Sequence, residues 1–140
     1  MTDYATLLKD NSLKATFQRM QFLEKIEEYG HMSIDDIYSK VIKMHPSLSL
    51  ATVYKNIILM VKNGVLVEVP IDGKKSKYEL KKEEHIHLIC TECGDVKDKP
   101  HIQKTDIILK ELASLENFRL KKQQFNLYGI CNNCQSKEVS

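Results

Sequence analysis

The sequence has no long apolar run: the longest, Ile57 to Val61, falls far short of a bilayer span, which argues against a helical membrane protein. Its first ten residues lack an uninterrupted apolar segment and carry Asp3, Lys9 and Asp10, so nothing marks the chain for export. It also has little charge imbalance. The formal net charge is +2, with 11 basic and 10 acidic residues up to Leu80 and 10 against 9 beyond it. Bulk positive charge is therefore not the way this chain would hold nucleic acid, and any such contact must come from locally placed groups. Internal repeats and low-complexity segments are missing too, apart from one paired motif. What remains, 42% hydrophobic and 29% charged residues over 140 positions, describes a soluble, cytoplasmic chain of one ordinary domain or two small ones.

The paired motif uses all four cysteines. Cys90-x-x-Cys93 is followed at once by Gly94, and Cys131-x-x-Cys134 is preceded two residues earlier by Gly129. Two thiolates held two residues apart on a tight turn occupy one side of an ion, and a second such turn completes a closed tetrahedral zinc cage. Disulfides would give the same count but need an oxidising compartment, which the absence of an export signal argues against. Between the pairs lie 37 residues, so a bound ion closes a loop large enough to hold a helix and ties the last strand to an earlier one.

The first 63 residues have helical periodicity. Met20, Phe22, Leu23, Ile26 and Tyr29 form one stripe that ends at Gly30. Ser33 and Asp36 form a capping box for a second helix that buries Ile34, Ile37, Tyr38 and Val41, and Pro46 stops that segment. Ser49 caps a third helix from Leu50 to about Asn63, ended by Gly64. The period then changes to two: Val65, Val67 and Val69 alternate with Leu66 and Glu68, a turn spans Pro70 to Gly73, and Ser76 to Leu80 returns as a second strand. Three helices and a hairpin are the order of a winged helix-turn-helix domain over residues 1–80. A polar run at 81–84 reads as a hinge, and 85–140 as a second, small α/β domain: a strand Ile86 to Cys90, a helix Ile107 to Glu116 through Ile108, Leu112 and Leu115, and strand-like sequence from Phe118. The fold class is α+β.

A wheel of the third helix buries Leu50, Val53, Ile57, Met60 and Val61 and turns Ala51, Thr52, Lys55 and Asn56 outward, the mixture of small, hydroxyl, cationic and amide groups that a major-groove helix needs. Tyr54 falls at the edge of the apolar stripe by period alone. Lys74, Lys75 and Lys77 in the hairpin suit either phosphate contacts or plain solvated surface. A second candidate metal site centres on His85 and His87, two apart on a strand and thus on one face, with Ile86 and Leu88 turned toward a core. Glu79 and Asp98 are the candidate carboxylates, and His31 stands at the entrance to the second helix. Imidazoles and carboxylates without thiolate suit Fe(II), Mn(II) or Zn(II) in an open site. Such a set also describes metalloenzymes, but no motif supplies a substrate pocket or a general base, and we read the chain as no enzyme.

The helix start Ser49-Leu-Ala-Thr-Val-Tyr-Lys55, the run His85-Ile-His-Leu-Ile-Cys-Thr-Glu-Cys-Gly94, and Leu127-Tyr-Gly-Ile-Cys-Asn-Asn-Cys134 resemble the ferric uptake regulator (Fur) family over nearly the whole chain. The resemblance implies a homodimeric repressor of palindromic double-stranded DNA, with a winged helix in front, a dimerisation domain stapled by structural Zn(II) behind, and regulatory Fe(II) or Mn(II) between them. It implies His31, Glu79, His85, His87 and Asp98 as regulatory ligands. It also places Lys14, Arg19, Tyr54 and Lys55 at DNA, beside Ser49, Ala51, Thr52, Asn56, Lys74 and Lys75. Asp98 is similar to the peroxide-responsive (PerR) branch, in which Fe(II) and peroxide oxidise a ligand histidine at the positions of His31 or His85. Glu79 is closer to the iron-uptake branch, so an iron or zinc uptake regulator is the other reading. An additional site found in many uptake regulators is expected to be missing, since Glu84, Ile86 and Gln123 take its positions. Phe17 stands where the family has proline.

Overall fold

A computed structural model describes residues 2–82 and 85–138. The chain divides into two compact units, Met1–Lys82 and Glu83–Ser140. Of the expected hinge, Glu83 and Glu84 lie outside the described residues, as does Glu84 in its role at the additional site.

In the first unit each helix starts on a side-chain cap that takes one of the N–H groups left open by the first turn. Asp3 accepts from the Thr6 N–H at 3.1 Å to open α1 (Tyr4–Asp10), and Thr16 accepts from the Arg19 N–H at 3.2 Å to open α2 (Phe17–Tyr29). Ser33 caps α3 (Ile34–Val41) through the Asp36 N–H, and Ser49 caps α4 (Leu50–Lys62) through the Thr52 N–H at 3.1 Å. Gly30 and Gly64 follow α2 and α4 with φ of +86° and +82°, a backbone state that favours glycine after a helix end.

Three short strands, β1 (Met32–Ser33), β2 (Leu66–Val69) and β3 (Lys77–Leu80), form an antiparallel sheet in the order β1-β3-β2, with Glu79 opposite Val67. Helices and sheet enclose a core of Leu8, Phe22, Leu23, Ile26, Ile37, Val41, Val53, Ile57, Met60, Val65, Leu66 and Tyr78. This is a winged helix-turn-helix.

Period alone missed α1 and β1 and mistook two faces. Leu50 is exposed, one turn before the exposed Tyr54 and on the same side of α4. The expected alternation of Val65, Val67 and Val69 is not kept. Val65 still closes the end of α4 through its N–H to the Met60 carbonyl at 2.9 Å, and Leu66 and Val69 are the buried strand residues.

The second unit is a sheet in the order β5-β4-β6, from β4 (His85–Cys90), β5 (Val96–Pro100) and β6 (Phe125–Gly129). The pair β4–β5 is antiparallel and places His87 opposite Asp98, whereas β4–β6 is parallel and places His87 opposite Asn126 and Cys90 opposite Gly129. A parallel pair needs a long crossover, and α5 (Gln103–Leu115) lies within it. A terminal helix, α6 (Asn132–Glu138), follows. β5 and α6 were not legible in the sequence, α5 starts before the expected Ile107, and the strand expected from Phe118 begins at Phe125.

Leu88 does not face a core. It is 37% exposed, while His87 and Ile89 on either side of it are buried, because the pleat turns it with Leu127 to the open face of the sheet. The stripe Ile108, Leu112 and Leu115 on α5 is likewise exposed.

Candidate metal centres and nucleic-acid face

The end of β4 with the turn after it, and the segment from the end of β6 into α6, bring the four cysteines together, with the sulfurs all lying within 4.8 Å of one another. Cys93 Sγ and Cys131 Sγ are 3.8 Å apart. A tetrahedral ion with Zn–S bonds of about 2.3 Å holds its sulfurs roughly 3.8 Å apart, so the cluster fits zinc. The cage is also prepared electrostatically. The backbone N–H groups of Cys93 and Cys131 point at Cys90 Sγ, at 3.5 and 3.3 Å, and hold its thiol down at about 6. Cys134, hydrogen-bonded with the Cys131 sulfur and crowded by the others, is pushed up to about 12. Four thiolates cannot share so small a space without a cation, and a dication of the size of Zn(II) would supply the missing charge.

The same sheet carries the second ligand set. His85 Nε2 and His87 Nε2 face one another at 2.9 Å, and Asp98 Oδ1 lies 3.4 Å from the first and 3.6 Å from the second. Two nitrogens bound side by side on an octahedral ion at about 2.1 Å stand roughly 3.0 Å apart, so the pair fits a shared cation as well as a hydrogen bond. His87 is 1% exposed, and its Nδ1 meets Asn126 Oδ1 at 2.9 Å. An amide oxygen only accepts, so Nδ1 carries the proton and Nε2 keeps its lone pair toward His85. Asn126 was not singled out from the sequence, since a lone asparagine in a strand gives no signal until the β4–β6 register is known.

In the first unit, His31 Nε2 and Glu79 Oε2 are 2.6 Å apart. Glu79 is 1% exposed, and a carboxyl so deeply buried is stable only when it is protonated or when positive charge, from an imidazolium or a metal ion, stands at its oxygen. The two sets, His31 with Glu79 and His85 with His87 and Asp98, belong to different units, and each has the nitrogen–oxygen donors of an open first-row metal site.

On the candidate DNA face, Ala51, Tyr54 and Lys55 are exposed on α4, Ser49 is spent partly as its cap, and Thr52 and Asn56 are half-buried. Tyr54 is 56% exposed, so the edge position that period assigned it resolves outward. Lys14 is exposed before α2 and Arg19 half-buried on it. In the wing Lys74 is exposed, and Lys75 is paired with Asp35 of α3, a partner the sequence did not suggest.

A winged helix in one unit and a cysteine cage with a nitrogen–oxygen ligand set in the other define a metal-responsive transcriptional regulator, and comparison with known proteins agrees. The model of the ferric uptake regulator family matches residues 10–128. The chain is 28% identical to the peroxide-responsive repressor PerR of Staphylococcus saprophyticus, across 98% of this chain and 93% of that protein. It is 36% identical to the ferric uptake regulation protein of Bordetella parapertussis, across 91% and 94%. The crystal structure of the Campylobacter jejuni peroxide stress regulator superposes with a TM-score of 0.76 at 32% identity, covering 95% of this chain and all of that one. The chain belongs to the ferric uptake regulator family, whose members are transcription regulators and not enzymes.

Proposed function

We propose that this protein is a homodimeric, metal-dependent repressor of a palindromic operator that responds to peroxide in the cytoplasm. One regulatory ion takes ligands from both sets, His31 and Glu79 together with His85, His87 and Asp98. The observation that carries this reading is the convergence of His85, His87 and Asp98 within 3.6 Å, with the His87 tautomer held by Asn126. An ion that draws on both units binds best in one arrangement of them, and by reciprocity the operator that selects that arrangement tightens the ion. A dimer offering two α4 helices to successive major grooves depends on that arrangement for register. Support for the dimer comes from apolar surface that one chain leaves bare: Leu88 and Leu127 on the sheet, and an apolar groove of about 500 Å³ beside α5 lined by Leu109, Leu112, Phe118 and Phe125.

Asp98 is the residue on which the resemblance favours the peroxide branch. Fe(II), when bound, supplies the electron that cleaves hydrogen peroxide, a reaction Mn(II) does not run readily. His31 and His85 are the ligands this reading expects to be consumed, and Zn(II) in the cysteine cage stays redox-silent and structural. Peptide mass spectrometry after peroxide treatment tests the reading. A gain of one oxygen atom on the His31 or His85 peptide in the Fe(II) form alone supports it, and unmodified histidines overturn it. The second reading, an iron or zinc uptake regulator with the ion as corepressor, is favoured by Glu79 and by the similarity to the Bordetella protein. It predicts that outcome without modification, with metal-dependent DNA binding intact.

A further inference from the structure

Arg19 and Asn56 are both candidate DNA contacts, yet their side chains are joined to each other. Arg19 Nε–H donates to Asn56 Oδ1 at 2.9 Å, from α2 to α4. The other end of the same amide is also used, because Asn56 Nδ2 donates to the Thr52 carbonyl one turn back at 2.9 Å. Arg19 Nη1 in turn donates to the Lys14 carbonyl at 2.9 Å. The guanidinium is thus held at two of its three nitrogens by neutral acceptors. Among the described residues no carboxylate is ion-paired with it, so its charge is fixed in direction and not cancelled. A fixed, uncancelled guanidinium at the surface matches a phosphate group, to which its remaining Nη2 edge can donate.

We propose that Asn56 is a positioning residue: it reads no base, and it acts on DNA by holding the Arg19 guanidinium toward a backbone phosphate. The bonds to Arg19 and to the Thr52 carbonyl fix the plane of the amide, so the one N–H and one lone pair that remain cannot turn to an adenine edge, the contact an outward asparagine on this helix would otherwise make, without breaking them. The bracket also ties the reading helix to the start of α2, so the phosphate contact fixes how α4 enters the groove. Its role rests on the DNA-binding reading above, whereas the Arg19–Asn56 bond does not.

The test is a double-mutant cycle on the full chain, Mn(II)-loaded, with a duplex enriched from a random library by the wild-type protein. R19A, N56A and the double variant are titrated by fluorescence anisotropy between 50 and 200 mM salt, with thermal melting to confirm that each is folded. Each phosphate contact adds about 0.9 to the salt slope, so the wild type should lose about 3.5-fold more affinity over that range than N56A for every Arg19 engaged. R19A should match N56A, and N56A should add nothing in the R19A background. Independent, additive losses, or an N56A effect that appears at one base pair only while the salt slope is kept, overturn the proposal. Should N56A fail to fold, N56S, which keeps a short acceptor, enters the same cycle with the same criteria. A wild type that enriches no duplex overturns the DNA-binding reading itself, and the positioning role with it. Additivity on a duplex that is bound leaves that reading standing and removes only the role of Asn56.

Discussion

Replacing Cys131 with serine should unfold the second unit and leave the first intact. Little apolar packing holds that unit together: Ile89 and Cys90 are its only buried apolar side chains among the described residues, and no residue of α5 is buried. The parallel strand β6 reaches β4 only after the crossover, so its pairing bears the closure cost of the 37 residues between the cysteine pairs. A cross-link closing a loop of that length removes about 4 kcal/mol of chain entropy from the unfolded state, by the relation used for disulfides. Metal–thiolate bonding adds to this, since binding such an ion is itself folding free energy. A loss of that size is comparable to the whole stability of a small unit. Zinc analysis, limited proteolysis and size-exclusion chromatography on C131S should show no bound zinc, cleavage confined to the region beyond Lys82, and loss of the dimer, while the first unit still melts cooperatively. A zinc-free C131S dimer that resists protease as the wild type does would refute the reasoning.

Two further predictions address the ligand set and the first unit. N126A removes the acceptor that fixes the His87 tautomer and should weaken Mn(II) binding by about 10- to 100-fold in calorimetry, with zinc retained; unchanged Mn(II) affinity would show that the Asn126 contact is idle. Tyr4, which donates to Glu27 at 3.0 Å, is pushed up to about 12, first by burial and then by that carboxylate. Its neutral form therefore favours the folded state fully below pH 10, and that contribution is lost as pH rises through 10 to 12. The melting temperature should fall more steeply over that interval in the wild type than in Y4F, and parallel profiles would contradict the assignment.

Much of this organisation is legible in local chemistry. Ser33, Ser49, Gly30 and Gly64 mark helix ends because caps and positive φ act over a few residues, and those ends lie where the sequence puts them. The cysteine cage is legible because one turn fixes each pair. Elements that depend on distant partners are not: β1 is two residues long and exists only as the partner of Tyr78 and Lys77, and β5 is a charged segment whose pattern shows nothing until it pairs with β4. Leu88 and the stripe on α5 expose a different limit. An apolar pattern states that a face will be covered without naming the cover, and a single chain leaves both bare. Asp98, a candidate carboxylate from the sequence, lies within 3.6 Å of the Nε2 atoms of His85 and His87, and the structure adds a neighbour of His87 that no pattern suggests, Asn126.

The most direct measurement is operator affinity of the Fe(II)-loaded, Mn(II)-loaded and chelator-stripped protein, each with zinc retained, before and after hydrogen peroxide. The account predicts tight binding by both loaded forms, weak binding after stripping, and release by peroxide from the Fe(II) form alone. Equal affinity with and without the exchangeable ion would contradict it.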